Sequence, residues 1–356
     1  MPILYKIFMI NYKTLQKLCT AYGPPGFESN VARIIMEELE NEDFDFSFDH
    51  LGNVFVELGE DRPVALFAAH MDEVGLLVTH VTSDGFLKVV NLGGLNASAL
   101  PGSLVDLVTP NGLITGVIGE TPPHLARGEK KGMTFDNLFI DIGVSSKEEV
   151  KKLGIDKGTP AVFKSFYFED DEKIIGKALD DRVGCFALLE ALKRARDTEY
   201  GKVIVAFTVQ EEVGCRGAST LAHRFNPDIG ISIEGTIAND TPGTPSEQIV
   251  TRARGGAAIR LMDASMIANR RLVDYMVEKA KENNIDFQFQ ISPKSGTDAR
   301  WFLNLGAKTS GISVPVRYIH SVHSMAFKED VEAVVKLLAT LIRENHKILF
   351  EKSEYF

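Results

Sequence analysis

The spacing of apolar and polar positions changes several times along the chain. Between residues 12 and 40 it predicts two short helices, separated by Gly23-Pro24-Pro25-Gly26, which no helix can continue through. Ser29 is the candidate N-cap of the second helix, in which Val31, Ile34, Ile35 and Leu39 recur at helical spacing. After Gly52 the texture becomes extended: NVFVEL, then VALFAA at 64–69. The second run is unbroken rather than alternating, as expected of a strand buried on both faces of a mostly parallel sheet.

From about Val74 to Phe166 the pattern changes again. Short segments rich in Val, Leu and Ile are punctuated by Ser83-Asp84-Gly85, Gly93-Gly94, Pro101-Gly102 and Asn111-Gly112. Short strands closed by turn dipeptides at roughly ten-residue spacing predict a small β-barrel or sandwich. One helix-like stretch, 146–154, interrupts them. Helix–strand alternation resumes near residue 174. A helix after Asp181 carries Val183, Phe186, Ala187, Leu189 and Leu192. Strands follow at 203–209 and 229–233, a helix at roughly 266–283, a strand at 311–316, and a last helix from Lys328 to Ile348. The expected class is α/β: a mixed, mostly parallel sheet flanked by helices. The expected domains are a catalytic domain in two parts, 1–73 and 167–356, with an inserted β-rich domain at 74–166.

Composition narrows the function. With 39 Lys and Arg against 49 Asp and Glu, the 356-residue chain carries a net charge of −10 and no dominant basic stripe, so a nucleic-acid partner is not expected. No apolar run approaches the ~18–20 residues that span a bilayer. The three cysteines, Cys19, Cys185 and Cys215, form no CxxC pair. The three suit a cytoplasmic protein with neither a disulfide framework nor a thiolate zinc site, and Cys185 and Cys215, close to the motifs below, read as small buried hydrophobes. The opening MPILYKIFMI reads as a tail ahead of Met9.

The chemistry lies where strands end. VALFAA runs into His70-Met71-Asp72, 203–209 into Glu211-Glu212, 229–233 into Glu234, and 311–316 towards His320; Asp180-Asp181 precedes a helix. Open α/β sheets bind ligands at the carboxyl ends of their strands. Acidic pairs are usually solvated surface charge, and a lone histidine is usually structural, the reading kept for His50, His80, His223 and His346. Convergence of carboxylates and imidazoles on one sheet edge instead suits divalent ions such as Zn²⁺. Two ions ~3.5–4 Å apart need a shared carboxylate, and an acid left over beside them suits a general base. His320 and His323 would face opposite sides of a continuing strand. His320, directly after the apolar run, is the expected ligand, and His323 a nearby second-shell or surface group.

The strings AHMDEVG (69–75), GKALDDRVG (176–184), QEEVGCRGA (210–218), SIEGTIANDTPG (232–243) and VPVRYIHS (314–321) resemble those of the dinuclear glutamyl/deblocking aminopeptidases, a family that includes the tetrahedral aminopeptidases and has members labelled endoglucanase or cellulase. GPPGFE, TPPHL, FIDIG and SGTDA extend the likeness over nearly the whole chain. The resemblance implies a zinc-peptidase sheet and two divalent ions per chain, zinc first and cobalt as the alternative. His70 and Glu234 would hold one ion and Glu212 and His320 the other, with Asp180 bridging them through a cis peptide to Asp181. Glu211 would be the general base, and Asp72 would hold the free nitrogen of His70. It further implies peptide substrates and dimers assembling into a tetrahedral dodecamer. Two departures stand out: His323 replaces a usual apolar residue, and Glu234 stands where many related enzymes have Asp. Asp298 in SGTDA either orients substrate or caps the next helix, the cap being favoured, and His124 in TPPHL is open between a site role and a structural turn, the turn being favoured. The rival functions are an endoglucanase-type glycosidase, which needs two carboxyl groups ~5–9.5 Å apart and no metal, and a non-catalytic assembly protein. A glycosidase has no use for the two histidines, and a single tryptophan offers few aromatic faces for sugars.

Overall fold

The computed structural model describes residues 10–120, 132–199 and 201–344. Residues 1–9 of the expected N-terminal tail, TPPHL with His124, His346 and the stretch 345–348 expected to end the last helix lie outside the described residues.

Among the described residues, eleven strands form one mixed sheet. Its centre is parallel: Lys202–Thr208, Val64–His70, Ile229–Ile237 and Lys308–Arg317 lie side by side in that order. Antiparallel strands flank them, Val54–Leu58 beside Lys202–Thr208 and Ser324–Phe327 beside Lys308–Arg317. The strand Val64–His70 is buried throughout. Ala65, Phe67 and Ala69 point into one core, with the helices Lys13–Thr20, Ser29–Asn41 and Lys328–Glu344. Leu66 and Ala68 point into a second core, with the helices Arg216–Phe225 and Ala299–Asn304. Two buried faces explain the unbroken apolar run.

Six antiparallel strands between Gly75 and Phe163 close into a barrel around their own core, which includes Leu76, Val78, Leu107 and Ile140. The expected helix interrupting this stretch is Lys147–Lys152, capped by the Ser146 hydroxyl. Ser29, by contrast, is the first helical residue rather than a cap: Glu28 occupies the N-cap position, and no side chain bonds there.

The chain enters the barrel just after His70 and returns to the sheet through the paired strands Tyr167–Glu169 and Lys173–Gly176, which precede Asp180. A buried ion cluster ties the entry to the barrel to the segment that follows those strands. Glu73 accepts Lys177 Nζ at 2.7 and 2.6 Å, Arg182 Nη2 at 3.1 Å and the Gly23 amide at 3.0 Å. All three charged side chains are almost wholly removed from solvent. Charges so buried persist only when paired and hydrogen-bonded.

Candidate active site

Strand register sets the site. Ala69 pairs with Ile233 in a parallel ladder, so the next residues, His70 and Glu234, project side by side. His70 ends its strand, whereas Glu234 lies within one that runs on to Ile237. Beyond Thr208 the chain turns through Gln210, at φ +58°, into Glu211 and Glu212. Asp180 has non-helical backbone at the start of the helix Leu179–Ala195, and the Asp180–Asp181 peptide is cis, as the resemblance implied. His320 lies past the end of Lys308–Arg317, at φ +55°.

The fold brings these side chains together. Asp180 Oδ1 lies 3.3 Å from His70 Nε2, and Asp180 Oδ2 lies 3.0 Å from His320 Nε2. Glu234 Oε2 approaches His70 Nε2 at 3.7 Å, and Glu212 Oε1 approaches His320 Nε2 at 3.4 Å. Asp72 faces His70 Nδ1 at 3.4 Å and accepts the backbone N–H groups of Glu211 and Glu212 at 2.9 and 3.0 Å. One carboxylate thus addresses both the buried histidine and the turn that carries the two glutamates. His323 is exposed and packs edge-on against Phe166, centroids 5.0 Å apart. His50, His80 and His223 are also exposed.

The electrostatics follow from crowding acids in an enclosed place. Burial pushes the Glu211 carboxyl up to about 8 and that of Glu212 to about 7, and raises Glu234 strongly. Asp180 behaves oppositely. Burial would raise it, but the imidazoles of His320 and His70 beside it hold it below the usual carboxylate range. Burial would likewise depress His320, yet Asp180 and Glu212 lift it to about 9.

This donor set fits divalent cations. Asp180 Oδ1 and Glu212 Oε1 are buried carboxylate oxygens without a hydrogen bond among the described residues. Single donor atoms of His70, Asp180 and Glu212 lie within 4.8 Å of one another, as do those of His70, Asp181 and Glu234. Imidazole nitrogen and carboxylate oxygen are the ligands zinc and its neighbours take.

Five further residues border the site, and the contacts they make there were not legible in the sequence. Asp181, fully buried, accepts the amides of His70, Gly184 and Gly235 at 3.0, 3.0 and 2.9 Å, tying the strands of His70 and Glu234 to the helix start. Its signals were membership of an acidic pair and the cis peptide that the resemblance implied. Cys185 Sγ contacts the His70 carbonyl at 3.0 Å, and Cys215 Sγ contacts Glu211 Oε1 at 3.2 Å, so both buried thiols border the site. Asp298 makes no capping bond to the helix Ala299–Asn304; it is buried and accepts the Thr208 hydroxyl. The Gly94 carbonyl of the barrel lies 2.9 Å from His320 Nδ1.

The model of the M42 glutamyl aminopeptidase family matches residues 52–337. The chain belongs to that family. It therefore falls among hydrolases of the aminopeptidase class. A lysyl aminopeptidase of Pyrococcus furiosus is 32% identical over 344 residues, covering 94% of this chain and 98% of the relative. Among solved structures, the TET1 peptidase of Pyrococcus horikoshii, described as assembling into a tetrahedron or a large octahedral shell, superposes with a TM-score of 0.85 at 37% identity, over 94% of this chain and 99% of that one. A Thermotoga maritima structure named endoglucanase gives a TM-score of 0.76 at 31% identity, over 92% of this chain and 96% of that one. Similar chains thus carry both kinds of name.

Proposed function

We propose that this M42 chain removes N-terminal residues from peptides with two divalent ions and a glutamate general base. His70 and Glu234 would hold one ion, Glu212 and His320 the other, and Asp180 would reach both. The observation that carries the reading is the placing of the Asp180 carboxylate between two histidines, one oxygen towards each. Zinc suits these donors best, with cobalt as the alternative. When bound, such ions polarise the scissile carbonyl and acidify the attacking water.

The chain's own groups do the rest. Glu211 sits beside the ligand set and takes the proton from the attacking water, then returns it to the leaving amine. Its raised affinity for a proton suits both halves of that task. Asp72 holds the Glu211–Glu212 backbone and faces the second nitrogen of His70, a support that orients a metal-binding imidazole.

We further propose a cytoplasmic homo-oligomer, dimers building a tetrahedral dodecamer, with residues 74–166 as the assembly module. The assembling Pyrococcus relative supports the oligomer. The buried free cysteines are in keeping with a reducing compartment, and no helix among the described residues is long and apolar enough to cross a membrane. A closed shell would restrict substrates to short or unfolded peptides. Replacing 74–166 by a short linker should give a much smaller particle by light scattering; an unchanged mass would refute the assembly role.

Hydrolysis of a free peptide and its N-acetylated twin, before and after chelation, tests the activity. Cleavage of the free peptide alone, lost on chelation and restored by zinc or cobalt, is expected. Metal-independent release of reducing sugar from cellulose would overturn it in favour of the glycosidase.

A further inference from the structure

His320 sits on a turn beyond the end of its strand, on left-handed backbone. A side chain there needs support from elsewhere to keep one direction, and the barrel supplies two contacts. The Gly94 carbonyl meets Nδ1 at 2.9 Å. Val322, two residues further on, packs against the barrel core.

The barrel turn is itself fixed. Asn91 Nδ2 donates to the Gly93 carbonyl at 2.6 Å, the Leu95 amide donates to the same oxygen at 3.2 Å, and the Leu95 side chain packs against the barrel core. It also fits without spare room. A Cβ on Gly94 would lie 2.9 Å from His320 Nδ1, and one on Gly93, at φ +83°, would lie 2.7 Å from Glu212 Oε2. Contacts that close force a neighbour to move.

We propose that the Gly93–Gly94 turn of the barrel is a positioning element for His320 and Glu212, an inference that rests on the two-ion reading above. A carbonyl can only accept, so Gly94 holds the imidazole with its proton on Nδ1 and leaves Nε2 to coordinate. The bare glycines let the turn press against both side chains and fix their directions. The barrel therefore completes the centre as well as serving assembly, and occupancy of one ion depends on a segment far from His320 in sequence.

Calorimetric zinc titration of the metal-stripped full chain tests this, with circular dichroism and particle mass as controls of fold. The wild type should bind two ions. Gly94→Ala should keep one at wild-type affinity and bind the other ~10–100-fold more weakly, the usual cost of losing support behind a ligand. Its kcat should fall while KM changes little. Val322→Ala removes support without adding an atom and should shift the same ion in the same direction; it decides the matter if Gly94→Ala misfolds. Leu113→Ala, on an exposed barrel position, should change neither ion. Two unchanged ions in a folded Gly94→Ala or in Val322→Ala would overturn the proposal. A wild type binding fewer than two would instead refute the two-ion reading.

Discussion

Asp180 Oδ1 stands 3.3 Å from His70 Nε2, close enough for both to share one cation. The same carboxylate turns its other oxygen to His320. His70 ends one central strand and His320 follows another on a turn, the two strands being separated in the sheet by Ile229–Ile237. Sharing one carboxylate is how two dications a few ångströms apart are held against their repulsion.

Glu211→Gln keeps the shape of the side chain and removes its basicity. Turnover should fall by roughly 10²–10⁴, the usual contribution of a positioned base, while both ions remain. Steady-state kinetics with metal analysis checks this. If Glu211→Gln loses an ion and Glu212→Gln does not, the two glutamates have exchanged roles.

Glu73 is the shared counter-charge of Lys177 and Arg182 where the chain passes between sheet and barrel. Glu73→Ala would leave two buried cations without it, and breaking such a pair costs roughly 3–5 kcal/mol. Denaturant unfolding of the metal-free protein should show a loss of that order. A change below about 1 kcal/mol would mean that the cluster relaxes into solvent.

Asp330 lies fully buried in the first turn of the last helix, accepting the Arg254 and Gly256 amides at 2.7 and 2.8 Å. Burial raises its carboxyl from 3.8 to about 6 in spite of those bonds. With the folded value above the unfolded one, the unfolded chain gives up its proton first as pH rises. Asp330 therefore costs stability progressively between about pH 4 and 6, by about 3 kcal/mol in total. Asp330→Asn has no such proton to lose. Between pH 4 and 6.5 the wild type should lose about that much more unfolding free energy than the variant. Parallel curves would contradict the assignment.

Much of this architecture was legible because apolar segments that bury both faces leave unbroken runs. Leu66 with Ala68 and Phe67 with Ala69 divide VALFAA between two cores. The same logic fails for the strands Ala257–Asp263 and Phe287–Ser292, whose buried Arg260, Asp263 and Gln290 interrupt the apolar pattern. The site residues were legible by type and by their place at strand ends. Their distances were not, because these depend on the register that pairs Ala69 with Ile233. His320 and His323 show a limit of periodicity. Alternation assumes a continuing strand, but the strand ends at Arg317 and the chain turns at Tyr318, φ +61°. His320 reaches Asp180 through that turn, and His323 meets Phe166 instead. Gly93-Gly94 signalled a turn, but nothing nearby in sequence signals what the turn touches.

Ions bound per chain in Asp180→Ala test the shared carboxylate most directly. By metal analysis after exhaustive exchange into metal-free buffer, the wild type should retain two and His320→Ala one. Asp180→Ala should retain neither, because both sites lose the ligand they have in common. An Asp180→Ala protein that still holds two ions at wild-type affinity would contradict the account.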